Sequence, residues 1–377
     1  MKKHLFFVAL AGVALASCVK NDVEAPATKQ VKIGFASPVL YSNVDTKASV
    51  YGEIGSHKYD GTETIYTYPR EEKFQIFAVE HSGNLTSWDA ATSTEFNATA
   101  ISYNKSLDAW APLKNDGGFY YWPDNMQLSF AAMSPAEMDV PGAKTAYSST
   151  GLVITDFVVA DDPSKQYDLL YSDRSVNKTA KDMKDYGASY YGGIPIMFQH
   201  ALASIHFSLR TDATETVTLL GIQLKNAKNK GTFKENITNE IAFARDPKWT
   251  VAENSEVKNY TSFSGEVDFP LNAQYVSALA AQDGTDDNDV SHALLMMPQA
   301  LGNDVVVEVK YEVGGEVKTR TVQLNQYPAT NPITTWAVGT KYTYRLVYSR
   351  EAQRNDIIYF SPETDVWADG GIIEVIL

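Results

Sequence analysis

One period runs through this chain, and it is two. Val305, Val307, Val309 and Tyr311 alternate with Val306, Glu308 and Lys310, Gly314-Gly315 interrupts, and Val317 to Leu324 resumes the run. Alternation at every second residue turns one face of a strand to a core, and a Gly-Gly pair between two such runs marks a tight hairpin. Tyr342, Tyr344, Leu346 and Tyr348 repeat the pattern. Phe74 to Val79, Leu128 to Met133, Leu152 to Val159 and Ile194 to Phe198 are β-rich runs bounded by Gly, Pro, Asn or Asp. No window longer than about twelve residues carries helical amphipathicity. Many short strands with turn residues between them predict an all-β chain built as β-sandwiches.

The N-terminus predicts export. Lys2 and Lys3 precede the uncharged apolar run Leu5 to Ala16, which has the length of a signal-peptide core and is shorter than the roughly 20 residues of a spanning helix. It ends in Leu15-Ala16-Ser17-Cys18, a bacterial lipobox, so residues 1–17 read as a lipoprotein signal peptide and Cys18 as the lipidated first residue of the mature chain. That places the protein outside the inner membrane of a Gram-negative cell, held to a membrane through its N-terminal lipid only. Several acyl chains, at about 0.8 kcal/mol per buried methylene, hold firmly. Cys18 is the only Cys, so the mature chain has no internal disulfide, thiolate metal site or thiol nucleophile, and its stability has to come from a large core.

After Cys18 about 360 residues remain, enough for two domains. Residues 18–29 have no period and read as a leash. Val31, Ile33 and Phe35 then alternate with Lys32 and Gly34 up to Pro38, a strand signal, and Tyr41 to Gly61 reads as an exposed loop. In Ile194 to Phe198 the large residues occupy even positions, whereas in Ala203 to Leu209 they occupy odd ones. A slip of one is what a bulge or a crossing between sheets produces, and it sets the expected domains at 30–193 and 194–377.

Chemistry is sparse. The chain has no GxSxG, GxGxxG, Walker or HExxH motif, and no catalytic residue, cofactor or metal site is expected. His4, His57, His81, His200, His206 and His292 are scattered. His200 and His206 would lie roughly 20 Å apart along one strand, too far to share a metal, and read as structural. Asp283, Asp286, Asp287 and Asp289 lack the Gly and distal Glu of an EF-hand and read as a solvated loop. The aromatics, 12% of residues, read mainly as core and cross-strand packing. The net charge of −14, or −16 once Lys2 and Lys3 are cut away, argues against nucleic acid and anionic lipid as partners.

Five segments in order resemble the fimbrillin family of pilin-like lipoproteins that build type V pili: Phe74 to Val79; Tyr120-Tyr121-Trp122-Pro123 with Leu128 to Pro135; Asp168 to Ser172; Phe198 to Phe207; and Leu295-Met296-Met297-Pro298-Gln299 with Trp336 to Gly339, Tyr342 and Tyr344. Trp122-Pro123 would open an edge strand. Leu128, Phe130 and Ala132 would face one core, and Phe207 and Leu209 another.

The resemblance implies two tandem transthyretin-like β-sandwich domains. It implies a structural subunit or tip adhesin, exported as an outer-membrane lipoprotein to the cell surface and incorporated into a fimbrium after processing. A trypsin-like protease cuts behind the first strand, the lipid and that strand leave, and a neighbour's strand fills the groove. Here Val31, Ile33 and Phe35 would form the displaced strand, worth roughly 5–9 kcal/mol of burial. Lys47, in Asp45-Thr46-Lys47-Ala48, would be the cleavage site. The family usually carries Arg there, and a strictly Arg-specific protease would not cut Lys47. Ile372, Ile373, Val375 and Ile376, behind Asp369-Gly370-Gly371, would form either the donor strand or the closing strand of their own domain. In the second case the subunit accepts a neighbour without donating, as a tip would. Partners would be other pilin subunits, of the same or another kind, and a host or bacterial surface receptor or glycan. The alternative is a monomeric, surface-anchored glycan-binding lipoprotein.

Overall fold

The computed structural model describes residues 31–36, 38–40, 56–59, 63–68, 70–105, 109–112, 118–138, 140, 142–181, 193–211, 215–269, 276–277, 293–327, 332–348 and 358–366. Among them the fold is all-β. The two helical pieces, Pro163–Lys165 and Leu324–Gln326, are single 3-10 turns.

Four sheets carry the architecture. The largest has ten strands, in the order Ser56–Tyr59, Glu63–Thr67, Val39–Leu40, Met197–His200, Leu170–Ser172, Gln127–Ser134, Phe74–His81, Ser93–Asn104 and Ala109–Ala111, with Ser175–Lys178 also on Gln127–Ser134. Both of its faces are covered. Phe74, Ile76 and Ala78 enter one core with Leu128, Phe130, Ala132 and Leu170, while Phe77 and Val79 enter the other with Ala131, Met133 and Tyr171. Central strands buried on both sides read as continuous apolar runs, which is how Phe74 to Val79 and Leu128 to Met133 appear in the sequence.

The second face belongs to the larger core, shared with the other three sheets. In one of these, Ala203–Thr211 runs parallel to Thr340–Tyr348, with Phe207 opposite Tyr344 and their rings stacked at 5.9 Å. In the next, Val217–Lys228 lies between Val257–Asp268 and Val306–Val313, and Val306–Val313 turns back into Glu316–Gln323. Gly314 and Gly315 make that turn with φ of +59° and +79°, the left-handed pair that a two-residue hairpin requires. The last sheet joins distant parts of the chain: Lys230–Lys234 and Lys248–Val251 pair onto Gly151–Val158 and Lys144–Ser148.

Several expectations change in detail. The slip near His200 is a change of sheet: Met197–His200 belongs to the ten-stranded sheet, Ala203–Thr211 to the next, and the buried Ala201 and Leu202 make the crossing. Trp122-Pro123 does not open a strand. Tyr121 makes an isolated bridge, and the strand starts at Gln127. Ser56–Tyr59, inside the expected loop, pairs with Glu63–Thr67. Val31 to Phe35 is not a continuous strand either, since only Lys32 and Phe35 form bridges.

Candidate functional site

The segment Val31 to Leu40 closes the ten-stranded sheet upon itself. From Met197–His200 the hydrogen-bonded order runs through Leu170–Ser172, Gln127–Ser134, Phe74–His81 and Ser93–Asn104 to Ala109–Ala111. The next link is Phe35. Its N–H donates to Trp110 O at 2.7 Å and its carbonyl accepts from Trp110 N at 3.3 Å. On the other flank Ala36 N donates to Ile194 O, and Ile194 N to Gly34 O, both at 3.0 Å. Ile194 stands just before Met197–His200, where the circuit began. Two more bonds, Ile33 N to Tyr120 O and Trp122 N to Val31 O at 2.9 Å each, tie the start of the segment down. Its far end is the short strand Val39–Leu40, parallel to Met197–His200 and antiparallel to Glu63–Thr67.

The side chains fill the space this circuit encloses. Ile33 is 1% exposed and Phe35 0%. Phe35 meets Phe130 edge-on at 5.4 Å between ring centroids and Phe74 at 6.1 Å. Trp110 and Phe74 pack in turn on Tyr68, whose backbone N–H donates to Pro38 O at 2.9 Å. The Tyr68 hydroxyl shares a 2.7 Å hydrogen bond with Ser134 Oγ, and burial pushes this phenol far above its ordinary pKa. Val31, at the entrance, is half-buried, and the Lys32 ammonium sits 3.7 Å above the Phe119 ring. The segment passes so close to Gly193 that a Cβ there would lie 2.5 Å from Gly34 O.

This arrangement is an insert with paired flanks. Without it, the backbone groups of Trp110, Tyr120, Trp122 and Ile194 lose their partners, and Phe74 and Phe130 face open space. An open flank is a template for another strand.

The opposite face of the sheet is pinned by charge. Arg174, whose side chain is 1% exposed, donates to Glu240 at 2.9 Å, to Tyr147 Oη at 2.8 Å and to Ser148 O at 2.8 Å. Glu240 also accepts from Trp88 N at 2.9 Å and Ser87 Oγ at 2.8 Å. Arg245 bridges Asp173 and the fully buried Glu235, and Glu235 accepts from Leu152 N at 2.9 Å. These bonds tie the ribbon Ile237–Asn239/Ala244–Arg245 to the ten-stranded sheet.

Of the residues singled out in the sequence, Val31, Ile33 and Phe35 are brought together in this insert. Cys18, Lys47, the acidic residues 283–289 and Ile372, Ile373, Val375 and Ile376 lie outside the described residues. His200 and His206 stand on different sheets, His200 on Asp168 at 2.9 Å and His206 on Ser204 Oγ at 2.7 Å. Burial drives the His206 pKa well down, with Lys341 adding to it. Among the described residues no group of three metal-ligating side chains converges. Sequence reasoning missed Ala36 and Gly193, and it read Ile194 only as the start of a β-rich run; that Ala36 and Ile194 pair through backbone across about 160 residues has no local signal.

No curated protein matches the chain. A fimbrial protein from Bacteroides vulgatus has the same fold at a TM-score of 0.51 and 17% identity, covering 89% of this chain and 100% of that one. A protein assigned to cell adhesion from Bacteroides uniformis aligns with a TM-score of 0.49 and 13% identity, over 89% of this chain and 100% of its own. The model of one family, described as fimbrillin-like, matches residues 64–367. The chain belongs to the fimbrillin-like family.

Proposed function

We propose that this chain is a structural subunit or adhesin of a type V pilus, exported as a lipoprotein through Cys18 and assembled by protease-triggered donor-strand exchange. The observation that carries the proposal is the insert: one short segment near the N-terminus closes the circuit of a sheet, pairs on both flanks, and fills the core with Ile33 and Phe35. Burying these two side chains is worth roughly 3–6 kcal/mol, somewhat less than three full strand positions would give, because Val31 is only half-buried. A cut at Lys47 would leave the segment held by non-covalent contacts alone. Its loss would then expose apolar surface and unpaired backbone that a neighbour's strand relieves by β-augmentation. The proposed donor and the groove are different segments of the chain, so the contact would be head-to-tail and would propagate as a filament.

In this reading the domains are two tandem transthyretin-like sandwiches, 30–193 and 194–377, with residues 230–251 reaching back onto Gly151–Val158 and Met197–His200 completing the first sheet. Ile372 to Ile376 is the proposed donor.

The test uses mature protein lacking Met1 to Ser17, with Cys18→Ser. It is treated with limiting trypsin and followed by mass spectrometry and gel filtration. Loss of everything up to Lys47 followed by SDS-resistant ladders is expected. Loss of the segment without oligomers would sink the shaft role and leave a tip subunit or an anchored glycan binder.

A further inference from the structure

We propose that a cavity bordered by Tyr68, where the ten-stranded sheet meets the second half of the chain, binds an alkylammonium group such as a lysine side chain. The inference does not rest on strand exchange. The cavity holds about 500 Å³, within the range of roughly 300–1,000 Å³ typical of small-ligand sites. Its walls come from Ser134 and Pro135 at the end of one strand, from Phe157 to Ala160, from the stretch Ser164 to Asp168, and from Leu202 and Leu295.

The polar wall is built and nearly complete. Tyr68 Oη and Ser134 Oγ satisfy each other at 2.7 Å. Gln166 Oε1 accepts from Leu295 N at 2.7 Å, and its Nε2 donates to Ala160 O at 3.1 Å. Asp168 is the exception. Its side chain is 1% exposed and its Oδ1 is engaged by His200 Nδ1 at 2.9 Å, yet Oδ2 is buried with no partner among the described residues. A buried carboxylate oxygen in that state calls for a donor.

The charge around it says which donor. Among the described lining residues, Glu72, Glu137 and Asp168 stand against one cation, Lys165. Burial, with Glu71 beside it, raises the Glu72 pKa, as expected of a carboxyl short of positive charge. Phe157, Val159, Leu202 and Leu295 supply apolar surface for an aliphatic stem. An acceptor-rich, net-negative pocket with apolar walls suits a cation on methylenes better than a neutral polyol, which would leave the negative charge uncompensated.

The experiment titrates the chain carrying Cys18→Ser and lacking Met1 to Ser17 with Nα-acetyl-lysine methylamide, cadaverine, the norleucine analogue of the first, and a methyl glycoside. Calorimetry and backbone amide shifts around Val159 to Asp168 are the readouts. Saturable binding of the lysine amide or cadaverine is expected, with the norleucine analogue at least about tenfold weaker, as loss of one charged hydrogen bond implies. The better of the two amines tells a peptide lysine from a free amine. Asp168→Asn keeps an acceptor for His200 and should weaken binding by about tenfold or more. Ala160→Trp, which fills the cavity from its wall, should abolish it and covers the case in which Asp168→Asn fails to fold. Equal binding of the norleucine analogue, binding of the glycoside alone, or no saturable binding of either amine overturns the proposal.

Discussion

Truncating Phe35 to Ala isolates what the insert contributes. The ring is 0% exposed and lies edge-on to Phe130 and Phe74. Removing a buried Phe side chain costs about 3–5 kcal/mol, part transfer and part cavity. In the intact chain that loss lowers the unfolding midpoint. After a cut behind the segment it falls instead on the affinity of the segment for its slot. At about 1.4 kcal/mol per decade, the Phe35→Ala segment should bind roughly two to three and a half orders of magnitude more weakly. A specific protease site placed at Lys47 removes any dependence on natural processing. The cut protein is then passed over gel filtration at intervals, and the retained N-terminal fragment is weighed by mass spectrometry. Val31→Ala is the control: its side chain is half-buried, and its loss should cost no more than about 1 kcal/mol and change retention less than about tenfold. If wild-type and Phe35→Ala fragments are retained equally after cutting, Phe35 does not hold the segment and the slot argument fails.

Gly193→Ala pushes a Cβ to 2.5 Å from Gly34 O, against backbone that can yield only by moving the insert. It should cost about 1–3 kcal/mol and speed fragment release in the same assay. Glu235→Ala strands Leu152 N–H and one arm of Arg245 in the interior, so the denaturant midpoint should fall by the equivalent of about 3 kcal/mol, with the insert still retained after cutting. Acid should act through Glu240. Burial alone would raise its pKa, but the Trp88 N–H, the Ser87 hydroxyl and Arg174 outweigh it and hold the carboxyl below its ordinary value of 4.5. Its stabilisation is therefore fully present above that ordinary value and lost as pH falls from there through the lowered pKa of the folded state, and Glu240→Gln should flatten this limb of the stability–pH curve.

Where a side chain has to face a core, the sequence carried the information. Val307, Val309 and Tyr311 alternate inward as their period predicts, and Gly314-Gly315 turns the chain. Leu128, Phe130 and Ala132 point to one core and Phe207 and Leu209 to another. Ser93–Asn104 escaped because its apolar alternation is thin: Phe96 and Ile101 are its buried large residues, and Ala98 takes a left-handed φ of +52° that breaks the phase. Val217–Lys228 is interrupted in the same way, where its register shifts between Leu219 and Gly221. The insert was half-legible. Ile33 and Phe35 stood out, but Pro38 read as its end, although a residue without an N–H can still offer its carbonyl, here to Tyr68. Its partners Trp110 and Ile194 contribute backbone, which leaves no mark on composition or period. The Asp168–His200 pair escaped because the two residues, 32 positions apart, meet only when Leu170–Ser172 pairs with Met197–His200.

If the chain gives up its insert as proposed, it must not unfold in doing so, and the two faces of the ten-stranded sheet separate these demands. Ile33 and Phe35 touch the smaller core, with Phe74, Trp110, Phe130 and Phe198. The alternate residues of the same strands, Phe77, Val79, Ala131, Met133 and Tyr171, belong to the larger core, which the other sheets share. Pulling out the insert therefore empties one side while the other stays packed. Lys230–Lys234 remains laddered onto Gly151–Val158, and Arg174 and Arg245 remain bonded across to Glu240 and Glu235. A mutation on the large-core side, such as Glu235→Ala, should accordingly lower global stability while leaving release of the insert unchanged, whereas Phe35→Ala should do both. If the two mutations could not be told apart in the release assay, the faces would be energetically one core, and loss of the segment would be unfolding rather than exchange.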